Sequence, residues 1–155
     1  MTQQGGGWLR VQLPTRPNGS QGWIRARDAS LGVVDDRVVV DLASRTLIWS
    51  RGGVVQLQAT VGVGGPSSPT PTGVFFVTDV LPGEGPEYGA FIVALNGHSD
   101  VFTEFEGGDA SIAIHGTNDP SSIGAAASSG CVRADPHTLA VLAASLAAGT
   151  PVDIE

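Results

Sequence analysis

The residues best suited to chemistry lie in one stretch, residues 111–135, which reads SIAIHGTNDPSSIGAAASSGCVRAD. It contains Cys131, the only cysteine of the chain, and His115, which ends a short hydrophobic run. Attack of a cysteine on a carbonyl requires a thiolate, a base that generates it, and donors for the oxyanion that follows. The stretch therefore offers a candidate nucleophile and a candidate base.

Small residues surround Cys131 and leave the backbone near it accessible. Ser128, Ser129 and Gly130 precede it, so the N–H groups of this turn are open to an oxyanion. A helix is expected to begin near Pro136, and its positive end would favour the thiolate form of the cysteine.

His115 ends a predicted strand, which holds its imidazole on a rigid element, and Gly116 lets a backbone carbonyl turn back towards the ring. Each feature also has a purely structural interpretation. Cys131 can act as a small buried hydrophobe, His115 as a hydrogen-bonding residue, and Arg133 as an ion-pair partner of Asp135. The combination favours catalysis, because a catalytic cysteine and histidine need not be close in sequence.

The composition fits a single turn-rich β domain. The chain has 155 residues, of which 41% are hydrophobic and 15% charged, with 22 glycines, 10 prolines and no lysine. This length and hydrophobic content allow a packed core, whereas a helix bundle would have fewer glycines. The formal net charge of −7 and the lack of a basic stripe argue against nucleic acid and against an anionic membrane surface.

Neither a membrane span nor an export signal is evident. No stretch reaches the length of a transmembrane helix, and the segment MTQQGGGWLR lacks the layout of a signal peptide. If the protein is exported, we expect its signal to lie outside this chain. The single cysteine excludes an internal disulfide.

The chain divides into an N-terminal segment, residues 1–34, and a main domain, residues 35–155. The N-terminal segment contains two predicted strands, 8–13 and 22–26, around a Pro-Asn-Gly-Ser turn, and we expect this hairpin to dock on the main domain. Its repeated Gly-Trp dipeptides resemble the end of a small bacterial SH3-like module.

The main domain is predicted to be a series of strands with one helix after the cysteine. The helix is expected at 136–148, with Asp135 as its N-cap, Pro136 in its first turn and Gly149 beyond its end. The predicted strands are 37–41, 46–50, 54–61, 73–81, 90–97, 110–116 and 150–154.

Four segments together resemble the YkuD family, the L,D-transpeptidase catalytic domain. The most specific is IHGTNDPSSIGAAASSGCVR, which follows the family pattern of His-Gly-Thr, a spacer, and Ser-x-Gly-Cys-Ile/Val-Arg. VGVGGPSSPTPTGVFFV, EYGAFIVALNG and LAAGTPVDI are similar to other family segments, so the resemblance covers about residues 37–154. Ser129 stands where the family commonly has histidine, which leaves nucleophile and base unchanged.

The resemblance implies a mainly β fold, a β-sandwich or barrel-like domain with one helix following the cysteine and a short N-terminal β-hairpin added. It implies that Cys131 is the acylated nucleophile and His115 its general base. The backbone carbonyl of Gly116 would orient the imidazole in place of a carboxylate, and Asp119 would be a loop residue. The N–H groups of Gly130 and Cys131 would form the oxyanion hole.

Three further residues are predicted to contact substrate: Arg133, Ser129 and Tyr88. Arg133 would either orient the loop or meet a substrate carboxylate. Phe76 is expected to pack in the core rather than to line the groove.

The implied activity is acyl transfer in bacterial peptidoglycan, outside the cytoplasm in the periplasm or cell wall. A stem tetrapeptide would acylate Cys131 and release D-alanine, and an amine, that of diaminopimelate, would resolve the thioester into a 3-3 cross-link. Peptidoglycan stem peptides are the expected partners, carbapenem β-lactams the expected covalent inhibitors, and a monomer the expected state. No metal or organic cofactor is implied.

Two alternatives remain open. An L,D-carboxypeptidase would use the same site with water as the acceptor. A non-catalytic wall-binding module would keep the fold and bind through the SH3-like segment, although an intact Cys131 and His115 argue against it.

Overall fold

The computed structural model describes residues 3–105 and 107–155. The fold is mainly β, as predicted, with one α-helix in the described part of the chain. The strands are β1 (Gln3–Gly5), β2 (Trp8–Gln12), β3 (Gln21–Arg25), β4 (Asp36–Asp41), β5 (Thr46–Arg51), β6 (Val54–Thr60), β7 (Val63–Gly64), β8 (Gly73–Pro82), β9 (Phe91–His98), β10 (Ser111–His115), β11 (Ala126–Ser128), β12 (Val132–Arg133) and β13 (Pro151–Ile154). Helix α1 spans Pro136–Ser145, and two short 3-10 helices span Ala26–Asp28 and Pro120–Ser122.

The main sheet has eight strands in the order β12-β10-β9-β8-β13-β4-β5-β6. Two of its pairs are parallel, β10 with β12 and β13 with β4, and the other pairs are antiparallel. The last strand of the chain thus lies in the middle of the sheet, with Val152 opposite Val38 on one side and Phe75 on the other. A second, two-stranded parallel pair joins β7 and β11.

The core is built by the alternation of strand residues. Val38 and Val40 of β4, and Leu47 of the neighbouring β5, are fully buried, whereas the residues between them are more exposed. Burying each such side chain contributes about 1.5–3 kcal/mol relative to leaving it in water. Leu139 and Leu142 cover the same cluster from the helix.

Helix α1 begins where the sequence predicts and ends earlier. The Asp135 carboxylate accepts the N–H groups of His137 at 2.9 Å and Thr138 at 3.1 Å, which makes it the N-cap. The helix ends at Ser145 rather than Ala148, because Leu146 takes an extended backbone and the chain turns towards β13. None of the helices in residues 3–105 and 107–155 has the length and apolar character needed to cross a bilayer.

The N-terminal segment forms a small antiparallel sheet in the order β1-β2-β3. The predicted hairpin corresponds to β2 and β3, and β1 adds a third strand that was not predicted. Leu9 is 1% exposed, whereas Trp8 and Trp23 remain 43% and 51% exposed. This sheet contacts the main domain through Gln12, whose side-chain amide donates to Val74 O at 2.7 Å, and through the turn after β2.

Candidate active site

A cavity of about 400 Å³ opens beside the C-terminal end of β10. The structure brings five of the predicted site residues to its wall: Cys131, His115, Arg133, Ser129 and Tyr88. The two remaining ones, Gly116 and Gly130, adjoin His115 and Cys131 in the chain. Phe76 does not line the cavity, but the prediction that it packs in the core is wrong: it is half-buried and lies outside the main hydrophobic cluster.

Strand β10 places His115 by its alternation. Ser111, Ala113 and His115 line the cavity together with Ile112, while Ile114, the residue before His115, is fully buried in the core and does not line it. His115 is itself only 7% exposed, so its imidazole is held on a strand that the core anchors.

The Gly116 carbonyl determines the tautomer of His115. His115 Nδ1 lies 2.6 Å from Gly116 O, and a carbonyl oxygen can only accept, so Nδ1 carries the proton in this hydrogen bond. In the neutral ring Nε2 therefore holds the lone pair and can accept a proton. The tilted Tyr88 ring lies 5.1 Å from the imidazole, measured between ring centroids.

Gly116 is fixed by a close approach to the 88–89 turn. Its N–H donates to Tyr88 O at 2.7 Å. A Cβ at this position would lie 2.8 Å from Gly89 Cα and 3.0 Å from Tyr88 O, so no side chain fits without displacing backbone. The absence of a side chain at Gly116 is thus what lets its carbonyl reach the ring.

Cys131 lies in a turn that hydrogen bonds define. Ser128 Oγ donates to Cys131 O at 2.5 Å and accepts the Gly130 N–H at 3.1 Å. Gly130 has a φ of +124°, a conformation that side chains disfavour. The half-buried thiol makes a long contact of 3.9 Å with Ser111 O.

Loop 65–72 holds this turn through two hydrogen bonds. Ser68 Oγ donates to Ser129 O at 2.7 Å, and Gly65 N–H donates to Ser128 O at 2.9 Å. The proline-rich stretch GGPSSPTP, residues 64–71, therefore holds the backbone on which Cys131 sits.

The oxyanion-hole prediction meets one constraint. Because the Gly130 N–H already donates to Ser128 Oγ, it would have to share or release that bond to bind an oxyanion. The assignment of Gly130 and Cys131 as donors stays a prediction.

Arg133 is held beside His115 by strand pairing. In the parallel pair of β10 and β12, His115 is the Cα partner of Arg133. The Arg133 backbone also exchanges two 2.8 Å hydrogen bonds with Gly62.

Hydrogen bonds from Ser121 lower the pKa of Asp119, and the Arg133 charge adds to the effect. Asp119 is not among the residues that line the cavity, in agreement with its expected place in a loop.

The N-terminus of α1 carries its own counter-charge. The Asp135 carboxylate takes up the first-turn N–H groups, and its negative charge opposes the positive end of the helix. The predicted action of this helix on the thiol therefore stays untested.

In the described part of the chain, no three His, Cys, Asp or Glu side chains come together as a metal site.

Sequence reasoning missed one wall of the cavity. This wall is loop 99–110, which joins β9 to β10 and lines the cavity with Ser99, Phe102, Phe105, Gly108, Asp109 and Ala110. Two phenylalanines in a Gly- and Asp-rich segment were the available signal. The Ser111 hydroxyl and the neighbouring His98 lower the pKa of Asp109.

Comparison with known proteins identifies the family. Residues 35–154 match the YkuD model, the L,D-transpeptidase catalytic domain. The chain belongs to this family. A putative L,D-transpeptidase YkuD from Bacillus licheniformis is 34% identical over 119 residues, which are 76% of this chain and 64% of that protein. The chain thus spans less than two thirds of the length of this curated relative.

Solved L,D-transpeptidase structures have the same fold. The structure of LD transpeptidase LdtMt1 in complex with imipenem superimposes with a TM-score of 0.61 at 20% identity, covering 79% of this chain and 59% of the other. An L,D-transpeptidase from Mycobacterium smegmatis gives a TM-score of 0.61 at 22% identity, covering 88% and 63%. The predicted family and the predicted fold class are both confirmed.

Proposed function

We propose that this chain is a cysteine-dependent peptidoglycan L,D-transpeptidase and that residues 35–155 are its catalytic domain. The observation that carries the proposal is the cavity that Cys131 and His115 line together, with the Nδ1–H of His115 directed at Gly116 O. This arrangement leaves Nε2 as the basic nitrogen of a fixed imidazole, which thiol chemistry requires. Membership of the L,D-transpeptidase family supports the same activity.

In the first step, His115 takes the thiol proton and the sulfur of Cys131 attacks the carbonyl of the third residue of a stem tetrapeptide. Backbone N–H groups at Gly130 and Cys131 stabilise the oxyanion. The bond to the terminal D-alanine then breaks, its nitrogen leaves with the proton from the imidazolium, and a thioester remains on Cys131.

In the second step, an acceptor amine attacks the thioester carbonyl. His115 removes a proton from the attacking nitrogen, the carbon–sulfur bond breaks, and the thiolate is regenerated. The product is an amide cross-link. The side-chain amine of diaminopimelate on a neighbouring stem is the acceptor that this proposal names.

The charges of the cavity favour an amine over water as the acceptor. Glu87 and Asp109 line it together with Arg133, so two carboxylates face one guanidinium, and the excess negative charge attracts a cationic amine, which loses a proton to solvent before it attacks. An L,D-carboxypeptidase would gain nothing from these two charges. A wall-binding module without activity would not need the Nδ1–H contact of His115 with Gly116 O.

The proposed inhibitors and location follow from the same assignment. Because LdtMt1 was solved in complex with imipenem, we propose that carbapenems acylate Cys131 of this chain. Since peptidoglycan cross-linking takes place outside the cytoplasm, we propose the periplasm or cell wall as the site of action.

The deciding experiment is intact-protein mass spectrometry after incubation with a stem tetrapeptide. We expect the mass of an acyl adduct that lacks D-alanine, located on Cys131 by peptide mapping, and no adduct on Cys131→Ser. Adding diaminopimelate should convert the adduct into an amide product faster than hydrolysis removes it. A wild-type protein without any adduct contradicts the proposal, and hydrolysis that diaminopimelate leaves unchanged identifies a carboxypeptidase.

A further inference from the structure

The turn between β2 and β3 reaches the cavity wall. Arg16 Nη1 donates to Ser99 O at 2.7 Å, and Arg16 Nη2 donates to Phe102 O and Asp109 O, each at 2.8 Å. One guanidinium of the N-terminal segment thus binds three carbonyls spread along loop 99–110. These contacts join residues more than 80 positions apart in the chain.

Asn18, two residues further on, holds the base of the same loop. Its side-chain amide donates to His98 O at 2.8 Å, and its side-chain oxygen accepts the His98 N–H at 2.9 Å. These two hydrogen bonds pair the Asn18 side chain with the backbone of His98, the last residue of β9, as a neighbouring strand would. The turn therefore fixes both the start of the loop and its far end at Asp109.

Loop 99–110 depends on polar contacts for its shape. None of the described residues between positions 100 and 109 is buried, so no hydrophobic core lies inside it. Its own hydrogen bonds join its ends, from Ser99 N–H to Ala110 O at 2.9 Å, and close a small turn between Phe105 and Gly108. The Ser99 hydroxyl also accepts the N–H groups of Val101 and Phe102 at the start of the loop. A loop without a core depends on its polar contacts, and charge-assisted ones are the strongest of these.

The guanidinium suits this task better than any other side chain. It presents five N–H donors in a rigid plane, which allows two nitrogens to serve three acceptors at once. A lysine ammonium at the same place is a point charge on a flexible stem and does not reproduce this fork.

The opposite side of the loop faces the cavity. Phe102 and Phe105 line it with their rings 5.7 Å apart, between centroids. Asp109 lines it as well, with its carboxylate bound to the Ser111 hydroxyl and to His98 Nε2. Displacing the carbonyls of Phe102 and Asp109 therefore displaces the groups that a bound peptide would contact.

We propose that Arg16 is a positioning residue of the site: it fixes loop 99–110 as the wall against which the donor peptide binds. The N-terminal segment is then part of the substrate site rather than a separate module. The statement about the donor rests on the proposed function, while the statement about the loop does not. Because Arg16 acts on the wall and not on Cys131 or His115, it governs donor binding rather than thiol reactivity.

The test compares R16A, R16K and R27A in the full chain. Arg27 is the matched control, because it belongs to the same segment, its side chain is 74% exposed, and its guanidinium lies 3.6 Å from the neighbouring Asp28. Three quantities are measured: hydrogen exchange of peptides covering 99–110, KM and kcat for a stem tetrapeptide, and the rate of Cys131 alkylation by iodoacetamide.

For R16A we expect faster exchange confined to loop 99–110 and to His98, and a KM increase of at least about tenfold from the loss of three charge-assisted hydrogen bonds. Alkylation should be unchanged, R16K should resemble R16A, and R27A should resemble the wild type. Unchanged loop exchange in R16A, faster exchange throughout the main sheet, an unchanged KM, or full recovery by R16K would overturn the proposal. A wild-type chain that never reacts with the tetrapeptide refutes the proposed function, and loop exchange still decides whether Arg16 fixes the wall.

Discussion

At the scale of single residues, the candidate site depends on the backbone as much as on side chains. The Gly116 carbonyl sets the tautomer of His115, and the Ser128 hydroxyl links the N–H of Gly130 to the carbonyl of Cys131. A carboxylate would attract the proton of an imidazolium more strongly than a carbonyl does. The carbonyl instead provides orientation without an added negative charge next to the thiolate that must form.

The nucleophile is tested by Cys131→Ser. We expect turnover to vanish and the melting temperature to stay close to that of the wild type, because the substitution removes the reactive sulfur and little volume. A purely structural cysteine would instead lose about 1 kcal/mol of stability and keep its activity. Steady-state kinetics and thermal unfolding on the same preparation separate the two outcomes.

The base is tested by His115→Ala. We expect kcat/KM to fall by roughly 10²–10⁴-fold, which is the usual contribution of general base catalysis. Alkylation of Cys131 by iodoacetamide near neutral pH should also slow, since the imidazole no longer takes the thiol proton. Equal alkylation rates in the two proteins would show that the residues do not act together.

The orienting group is tested by a pair of substitutions. Gly116→Ala should be damaging, because its methyl group would lie 2.8 Å from Gly89 Cα and would push the carbonyl away from Nδ1. Asp119→Asn should cost little, because its side chain accepts from Ser121 and does not line the cavity. A true third carboxylate can cost on the order of 10⁴-fold when changed to its amide. The reverse ranking of the two rates would show that Asp119 orients His115.

At the scale of elements, β10, the parallel β12 and helix α1 follow one another around the site. His115 and Arg133 become neighbours because β12 pairs in parallel with β10 directly after the cysteine turn. Ala134 N–H then donates to His115 O at 2.8 Å, and Asp135 starts the helix. The cap of α1 thus lies only four residues after Cys131 in the chain.

The helix cap is tested by Asp135→Ala. Removing an N-cap carboxylate typically costs 0.5–2 kcal/mol, and we expect about 1 kcal/mol by denaturant unfolding at neutral pH. Burial alone would raise the pKa of Asp135, but hydrogen bonds from Thr138 and His137 outweigh it and lower the pKa below the ordinary value of an aspartate.

The sign of the pH effect follows from that lowered pKa. The stabilisation is fully present above the unfolded pKa and is lost as the pH falls through the still lower folded value. The difference between wild type and Asp135→Ala should therefore shrink in strong acid. Asp28→Ala, which removes a carboxylate whose side chain is 62% exposed, should show no such difference at either pH.

Some elements could be predicted from the sequence, and others could not. The turn signals at Ala43–Ser44 and Gly52–Gly53 bounded the predicted strands 37–41 and 46–50, and the structure places them at Asp36–Asp41 and Thr46–Arg51. Strands β7, β11 and β12 have only two or three residues, too few to show a periodic pattern. They are defined by their pairing with other strands, which the sequence does not reveal. The position of β13 between β8 and β4 depends on pairing between distant parts of the chain, and turn chemistry does not encode it.

At the scale of the whole molecule, the hydrophobic core and the candidate site draw on different parts of the chain. Every member of the main hydrophobic cluster lies between Val38 and Ile154, so no described residue of the N-terminal segment belongs to it. The loop that forms one wall of the cavity, in contrast, accepts three hydrogen bonds from Arg16, and Asn18 binds His98 at the start of that loop. The sequence predicted the docking of the hairpin. It could not predict the contact with the cavity wall, because Arg16 binds backbone carbonyls, which no residue type identifies.

Because the core lies within the main domain and the cavity loop also contacts the N-terminal segment, the behaviour of a fragment of residues 35–155 can be predicted. Since the main cluster is complete without the N-terminal segment, the fragment should keep its β-sheet circular dichroism spectrum and unfold cooperatively. It should also react with iodoacetamide at the rate of the intact chain, because the contacts of Cys131 and His115 lie within it. Loop 99–110, however, should exchange at least as fast as in R16A, and the donor KM should rise at least as far, because the fragment lacks the Asn18 contacts as well.

The intact chain carrying both Arg16→Ala and Asn18→Ala is the matched control for the fragment, because the fragment loses the contacts of both residues. If the N-terminal segment acts on the site through these contacts, the fragment should be no worse than the double variant in KM and loop exchange. A much larger KM in the fragment would mean that the segment also touches the donor directly, through groups that the double variant leaves in place. A fragment that fails to unfold cooperatively would show that residues 1–34 belong to the folding unit, and the division at residue 35 would be wrong.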